Sequence, residues 1–188
     1  MAQDRPRASR SALALVAAVA AVLRLLYVAE VHDHPYYDTP LVDAADYQTR
    51  ALQVMRGEGL GTDAYYKAPA YEFLVGQLYR LTGPRLEAVY ALQMLGGVLT
   101  AVLVAALGRR WFGARAGILG GLLAGLYAPL AYFENQLLIE SSALCFSVLA
   151  VALCRICGSF WVKPDLGSTT SAPSWLASSM SSARACDE

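Results

Sequence analysis

The stretch that decides the fold is VYALQMLGGVLTAVLVAAL, residues 89–107, which contains no charged residue. A helix needs about 20 predominantly apolar residues to cross the hydrocarbon core of a bilayer. Two comparable runs follow it, AGILGGLLAGLYAPLAYF at 116–133 and LLIESSALCFSVLAVALC at 137–154, and only Glu140 interrupts the second. These runs predict successive transmembrane helices.

An earlier apolar run extends from Ser11 to Ala29, with Arg24 as its only strongly basic residue. A secretory signal peptide is the alternative interpretation, because Ala18-Val19-Ala20 resembles a cleavage site. Apolar residues continue beyond that point to Val28, which favours an uncleaved first transmembrane helix. We expect the Arg24 side chain to snorkel towards the membrane surface.

The composition agrees with a membrane protein, since 56% of the residues are hydrophobic and soluble domains have about 45–50% apolar residues. The net charge is zero, so composition gives no support for a nucleic-acid partner. Residues 1–157 are predicted to form the membrane domain. Residues 158–188 are rich in Ser, Thr, Ala and Pro without a helical or strand period, which predicts a disordered tail or an out-of-frame translation.

The polar segment 30–87 has two helix signals of its own. Asp43–Arg56 carries small and apolar residues at helical spacing, namely Ala44, Tyr47, Ala51 and Met55, and glycines follow it. A second helix starts at Pro69 and ends at Gly83-Pro84. Both are too short to span and suit the membrane surface. The predicted fold class is all-α: a polytopic membrane helix bundle of about four transmembrane helices, with two juxtamembrane amphipathic helices in the first extracytoplasmic loop.

The arginines predict the orientation. Basic residues lie before the first span, in the 109–115 turn and at Arg155 after the fourth span, which is one side of the membrane if there are four crossings. Because basic residues favour the cytoplasmic side, the N-terminus is expected in the cytoplasm and residues 30–87 outside it. The expected location is the plasma or inner membrane, as a multi-pass protein.

Several polar residues could carry chemistry. Asp43 opens the first loop helix, where an aspartate either caps the helix or presents a carboxylate as a general base or metal ligand. Lys67 lies just before the second helix start, where a cation suits a lipid phosphate, although an ordinary solvated lysine is equally compatible. Glu140 lies in the first turn of the fourth span and either faces a catalytic cavity or pairs with the helix dipole. Glu134 is expected to be more exposed.

The metal signals are weak. His32-Asp33-His34 lacks supporting ligands, and Cys154 and Cys157 form a lone CxxC without a second pair, which is more typical of small apolar cysteines. No metal site is assigned, and the use of a divalent metal is left open.

In order and spacing, these features resemble the N-terminal part of GT-C glycosyltransferases, the family 39-like group that includes protein O-mannosyltransferases and the aminoarabinose transferase of lipid A. PLVDAADY at 40–47 resembles the segment with that family's loop aspartate. YKAPAY at 66–71, running on to Leu81-Thr82-Gly83, resembles its juxtamembrane helix, and the stretch from Tyr127 to Glu140 resembles the connector into the fourth helix. The resemblance covers residues 11–155.

The resemblance implies an enzyme that moves a sugar from a polyprenyl-phosphate carrier to an extracytoplasmic acceptor. It assigns Asp43 as the catalytic aspartate, Glu140 as the second acidic residue, and Lys67 and Arg50 as ligands of the donor phosphate. Two departures stand out: Ala68 replaces the first proline of the family's pair, and Ala44 replaces an acid beside Asp43. The expected partners are a lipid-linked sugar donor and membrane lipids, and no nucleic acid.

The family's enzymes have many more helices, so we expect the 188-residue chain by itself to show no transfer. The alternatives are a non-catalytic membrane helper subunit, a small transporter or an inactive truncated gene product. The sequence does not indicate the sugar or the acceptor.

Overall fold

The computed structural model describes residues 5–35, 37–59 and 67–161, and every regular element in these ranges is a helix. The helices are α1 (Arg5–Val31), α2 (Asp43–Arg56), α3 (Pro69–Thr82), α4 (Leu86–Phe112), α5 (Ala114–Gly125), α6 (Ala128–Glu134) and α7 (Glu140–Trp161). The predicted all-α class is confirmed for this part of the chain. The chain divides into two compact units, residues 1–153 and 154–188, and in the second the described residues continue α7. Most of the predicted tail lies outside the described residues.

Within the described residues, two helices are long and apolar enough to cross a membrane, α1 from Arg10 to Val31 and α4. A third crossing results if α5 and α6 together form one span, but they meet at a bend of 50°. The continuous helix predicted for residues 116–133 is therefore wrong. Pro129 explains the break: it lacks a backbone N–H and its ring would clash with the Gly125 carbonyl four residues earlier, so one helix cannot run through it, and Pro129 instead lies in the first turn of α6.

The first and fourth helices run antiparallel. Near the basic ends, Val16 and Ala20 of α1 cluster with Ala101 and Ala105 of α4. At the opposite ends, Val31 packs against the cluster that contains the start of α4. The arginines at the start of α1 and those at the end of α4 therefore lie at the same end of the bundle.

Helix α5 approaches α4 closely through its glycines, as the small-residue spacing predicts. Gly117, Gly121 and Gly125 are all buried. A Cβ atom at Gly121 would lie 2.5 Å from the Ala105 Cβ and 2.9 Å from the Ala101 carbonyl oxygen. The contact therefore leaves no room for a side chain on this face of α5.

We expect Gly121→Ala to lower the thermal unfolding midpoint in detergent, because overpacking a tight contact costs about 1–3 kcal/mol. Gly120→Ala is the matched control, since its Cβ would meet only the Val104 Cγ1 atom, at an ordinary 3.8 Å. That control should match or slightly exceed the wild-type midpoint, because alanine favours the helix. Equal midpoints for the two variants would contradict the close α4–α5 contact.

Helices α2 and α3 have the bounds that the sequence predicts. Gly57 ends α2 with φ +86°, a left-handed conformation that glycine adopts at no steric cost, and its N–H donates to the Val54 carbonyl at 3.0 Å. Val54 is buried, whereas Met55, which the pattern assigned to the apolar face, is half-buried. That face packs on protein, with Val54 against Gly76 of α3, so it is not left for the membrane surface as predicted.

Hydrogen bonds join this pair of loop helices to the membrane helices. The Gln93 Nε2 of α4 donates to the Leu138 carbonyl at 2.8 Å and to the Tyr71 hydroxyl at 3.1 Å. The Tyr90 hydroxyl donates to the Tyr37 carbonyl at 3.2 Å. As a result, the loop before α2, the start of α3 and the connector into α7 are all attached to the first half of α4.

Candidate functional site

A cavity of about 690 Å³ lies where the end of α1, the loop before α2 and the connector between α6 and α7 meet. Valine and leucine side chains form much of its lining, and polar groups are set among them. The polar lining residues include Tyr37, His34, Asp43, Tyr132, Asn135 and Gln136. A partly apolar cavity with a few polar groups has the general form of a small-ligand site.

Asp43 lines this cavity as the first residue of α2. The residue in the N-cap position is Val42, and no side-chain capping hydrogen bond is made there, so the interpretation of Asp43 as a cap is wrong. The Asp43 Oδ1 instead accepts a hydrogen bond from the Lys67 Nζ at 2.8 Å. The carboxylate is thus positioned by a contact between α2 and the chain before α3.

Val42 has an unusual backbone next to this carboxylate. Its φ is +51°, which is uncommon for a residue with a Cβ and a genuine outlier for a β-branched one. Its side chain is 84% exposed although it is apolar, and it lines the cavity. Strained residues of this kind cluster at functional sites, where the surrounding structure holds them in place.

The Lys67 ammonium group contacts the carboxylates of two aspartates. Its Nζ is 2.8 Å from the Asp43 Oδ1, 3.0 Å from the Asp46 Oδ2 and 4.9 Å from the centre of the Tyr47 ring. Its side chain is only 9% exposed, whereas the two aspartates are 64% and 68% exposed. Burial lowers the pKa of Lys67, but hydrogen bonds to both aspartates outweigh this and raise the pKa above its ordinary value. The lysine is therefore a cation at neutral pH.

Arg50 lies on the same helix as the aspartates and pairs with a carboxylate of α3. Its Nε is 3.6 Å from the Glu72 Oε1, and the Glu72 side chain is completely buried. Burial raises the pKa of Glu72, while Arg50 and Lys67 act in the opposite direction. Glu72 is not among the site residues that the sequence predicts. The available signal was a single acid in the first turn of an otherwise apolar helix.

Glu140 lies in the first turn of α7, as predicted, and its side chain is exposed; α7 begins at this residue rather than at Leu137. Burial raises the pKa of Tyr71 on α3, and the Glu140 charge adds to the shift. Among the described residues Glu140 has no hydrogen bond or ion pair. The structure therefore brings Asp43 and Lys67 into contact, places Arg50 on the same helix as Asp43, and shows no ion pair between Glu140 and any of the three.

A second charged pair is buried between the membrane helices. Arg24 is 2% exposed and Glu134 is 0% exposed. The Arg24 Nη2 donates to the Glu134 Oε1 at 2.7 Å, and its Nη1 donates to the Ala20 and Gly125 carbonyls. The predictions that Arg24 snorkels and that Glu134 is exposed are both wrong. Space for the pair exists because Gly97 of α4 has no side chain: a Cβ there would overlap the Glu134 carboxylate.

The weak metal signals do not converge. The His32 Nδ1 lies 3.1 Å from the Asp33 Oδ1, and both side chains are exposed. No group of three or more His, Cys, Asp or Glu side chains in the described part of the chain could hold a metal ion. Cys154 is exposed, and the Cys157 side chain and Cys186 lie outside the described residues.

Comparisons of this chain with protein-family models, with curated proteins and with solved structures found no match. The function proposed below is therefore argued from the cavity and the charged side chains around it.

Proposed function

We propose that residues 11–155 form the donor-binding part of a membrane glycosyltransferase that resembles the GT-C class and takes a sugar from a polyprenyl-phosphate carrier. The observation that supports this most is the position of Asp43. Its carboxylate lines a cavity of about 690 Å³ and is bonded to a buried lysine. A carboxylate beside a cavity can take a proton, and a lysine can bind a phosphate.

In this proposal the acceptor hydroxyl attacks the anomeric carbon of the sugar and Asp43 takes the hydroxyl proton. The bond between the anomeric carbon and the phosphate oxygen breaks, and the electron pair leaves with the polyprenyl phosphate. Lys67 and Arg50 compensate the charge on that phosphate. Glu140, exposed at the start of α7, is the residue we assign to the acceptor side.

Lys67 must exchange its aspartate partners for the phosphate. Its partners are largely exposed, and ion pairs with exposed carboxylates contribute only about 0–1 kcal/mol. A phosphate entering the cavity beside Asp43 can therefore replace an aspartate contact at small cost. The strained backbone at Val42, next to Asp43, is consistent with a segment held in place for binding.

The same proposal includes four crossings and an orientation. Helix α7 has 22 residues, enough to extend about 33 Å and cross the bilayer. The basic residues at the start of α1 and the end of α4 lie at one end of the bundle and are assigned to the cytoplasm. The α2–α3 pair and the cavity then face the extracytoplasmic side of the plasma or inner membrane.

The orientation can be tested by cysteine labelling in a variant whose four native cysteines are replaced by serine. A cysteine at Glu58, which is exposed after α2, should react with an impermeant maleimide in intact cells. A cysteine at Ala114, the first residue of α5, should react only after lysis. The reverse pattern would contradict the proposed orientation.

Donor binding tests the function itself. The purified protein should bind geranylgeranyl phosphoryl mannose more tightly than geranylgeraniol, and Lys67→Ala should remove about tenfold or more of that difference because a charged hydrogen bond contributes about 1.5–3 kcal/mol. Arg56→Ala is the control, since Arg56 is an exposed cation at the far end of α2. Equal binding of the two lipids by the wild type would contradict the proposal.

A small transporter is the second candidate, and two observations favour it. The third candidate span is broken at a bend of 50°, and an ion pair is buried between α1 and α6. Broken helices and buried ionisable residues are features of transport pathways. A transporter built on this pair should give the protein in liposomes a proton or ion flux that Glu134→Leu abolishes, whereas the transferase proposal predicts no flux.

A further inference from the structure

Glu72 has an environment that the proposed reaction does not explain. Its carboxylate is completely buried on the face of α3 that packs against α2, and neither oxygen has a hydrogen-bond partner. Its one close cation is Arg50, whose Nε lies 3.6 Å from the Oε1, and Arg50 is itself 35% exposed. A buried carboxylate is costly unless it is paired, so the charged form of Glu72 depends on that arginine.

Two cations and two acids surround Glu72, so its own carboxylate makes the acids one more than the cations. Asp46 of α2 acts against the charged form of Glu72, whereas Arg50 and Lys67 act in its favour. Asp43, one turn before Asp46, adds a further negative charge beside Lys67. Among the described groups of α4, which packs against α3, Glu87 acts on Tyr79 and is not among the charges acting on Glu72.

A phosphate bound by Lys67 and Arg50 draws both of these cations towards itself. The Glu72 carboxylate then stays buried, but the positive charges that balanced its negative charge now face the phosphate. A buried group in this position takes up a proton rather than remain charged.

We propose that Glu72 is a positioning residue that holds Arg50 for the donor phosphate and takes up a proton when the phosphate binds. This rests on the proposed donor site. Linkage gives the sign: if binding adds a proton, affinity is greatest at low pH and falls as pH rises, by up to about tenfold per pH unit.

The test measures affinity of the purified wild-type chain for geranylgeranyl phosphoryl mannose between about pH 5 and 8, above the ordinary pKa of a glutamate, because burial raises the pKa of Glu72. This probe is a phosphodiester, so its own charge does not change over the range. The wild-type affinity should fall with pH, whereas Glu72→Gln should bind with a nearly flat profile, because an amide cannot take the proton. Glu87→Gln is the matched control, an exposed carboxylate in the first turn of α4, and should keep the wild-type slope.

The outcomes separate this inference from the proposed function. No binding of the probe at any pH would overturn the donor site itself. Binding without pH dependence, or a slope that Glu72→Gln retains, would overturn the role of Glu72 and leave the donor site standing. If Glu72→Gln does not fold, donor binding to the wild type is measured by titration calorimetry in buffers of different ionisation enthalpy, which gives the number of protons taken up. The proposed role of Glu72 requires net proton uptake, and zero uptake contradicts it.

Discussion

In a protein that contains residues 11–155 and transfers sugar, Asp43→Asn is expected to reduce transfer by about 10²–10⁴-fold, the usual effect of removing a general base. Asparagine has the same shape but cannot take a proton. The side chain makes no helix-capping hydrogen bond, so the loss would not come from the end of α2. Membrane insertion and the thermal midpoint should stay close to those of the wild type, because an asparagine oxygen can still accept a hydrogen bond from Lys67, which also keeps its pair with Asp46.

Asp46→Asn is the matched control for this experiment. Asp46 also pairs with Lys67, at 3.0 Å, and is exposed to a similar degree, but it is not among the residues that line the cavity. It should therefore retain most of the transfer rate. If both asparagine variants lost activity equally, the contact with Lys67 would be the cause and Asp43 would not be the base.

Breaking the buried pair between α1 and α6 is expected to have the largest effect on stability. Arg24→Leu or Glu134→Leu alone leaves an uncompensated charge in a buried position, which costs about 3–5 kcal/mol. The double variant removes both charges and should recover much or all of that loss, since buried pairs are often replaceable by apolar residues of similar volume. Equilibrium unfolding in mixed detergent micelles measures all three variants.

The comparison between the single and double variants is decisive. A strong favourable coupling between the two positions is expected for groups in direct contact. If the losses of the single variants simply add in the double variant, the ion pair does not exist in the membrane. If the single variants are both mild, the charges reach water, as the sequence analysis expected for Arg24.

Local signals were sufficient to predict the helices of the loop. Asp43–Arg56 has its predicted bounds because the glycine at position 57 can adopt a left-handed conformation at no steric cost. Helix α3 begins at Pro69 because proline suits the first helical turn, where its missing N–H leaves no bond unmade. The first two apolar runs lie in α1 and α4. The third extends across the α5–α6 pair, and the fourth begins in the connector after α6 and continues in α7.

Contacts between distant residues could not be predicted from such signals. Arg24 and Glu134 are 110 positions apart, so neither the pair nor the burial of Glu134 has a local pattern. Asp43 meets Lys67 across 24 positions, and from the sequence an aspartate at a helix start is equally compatible with a cap. Glu72 was missed because its burial depends on how α3 packs against α2.

Photo-crosslinking tests the central claim most directly. The purified chain is irradiated with a polyprenyl phosphoryl sugar that carries a diazirine on the sugar, and adducts are mapped by mass spectrometry. The account predicts adducts on cavity residues such as Tyr37 and Val42, suppressed by excess unlabelled donor. Adducts confined to exposed lipid-facing residues such as Leu25 and Leu26 of α1, unaffected by competitor, would contradict it.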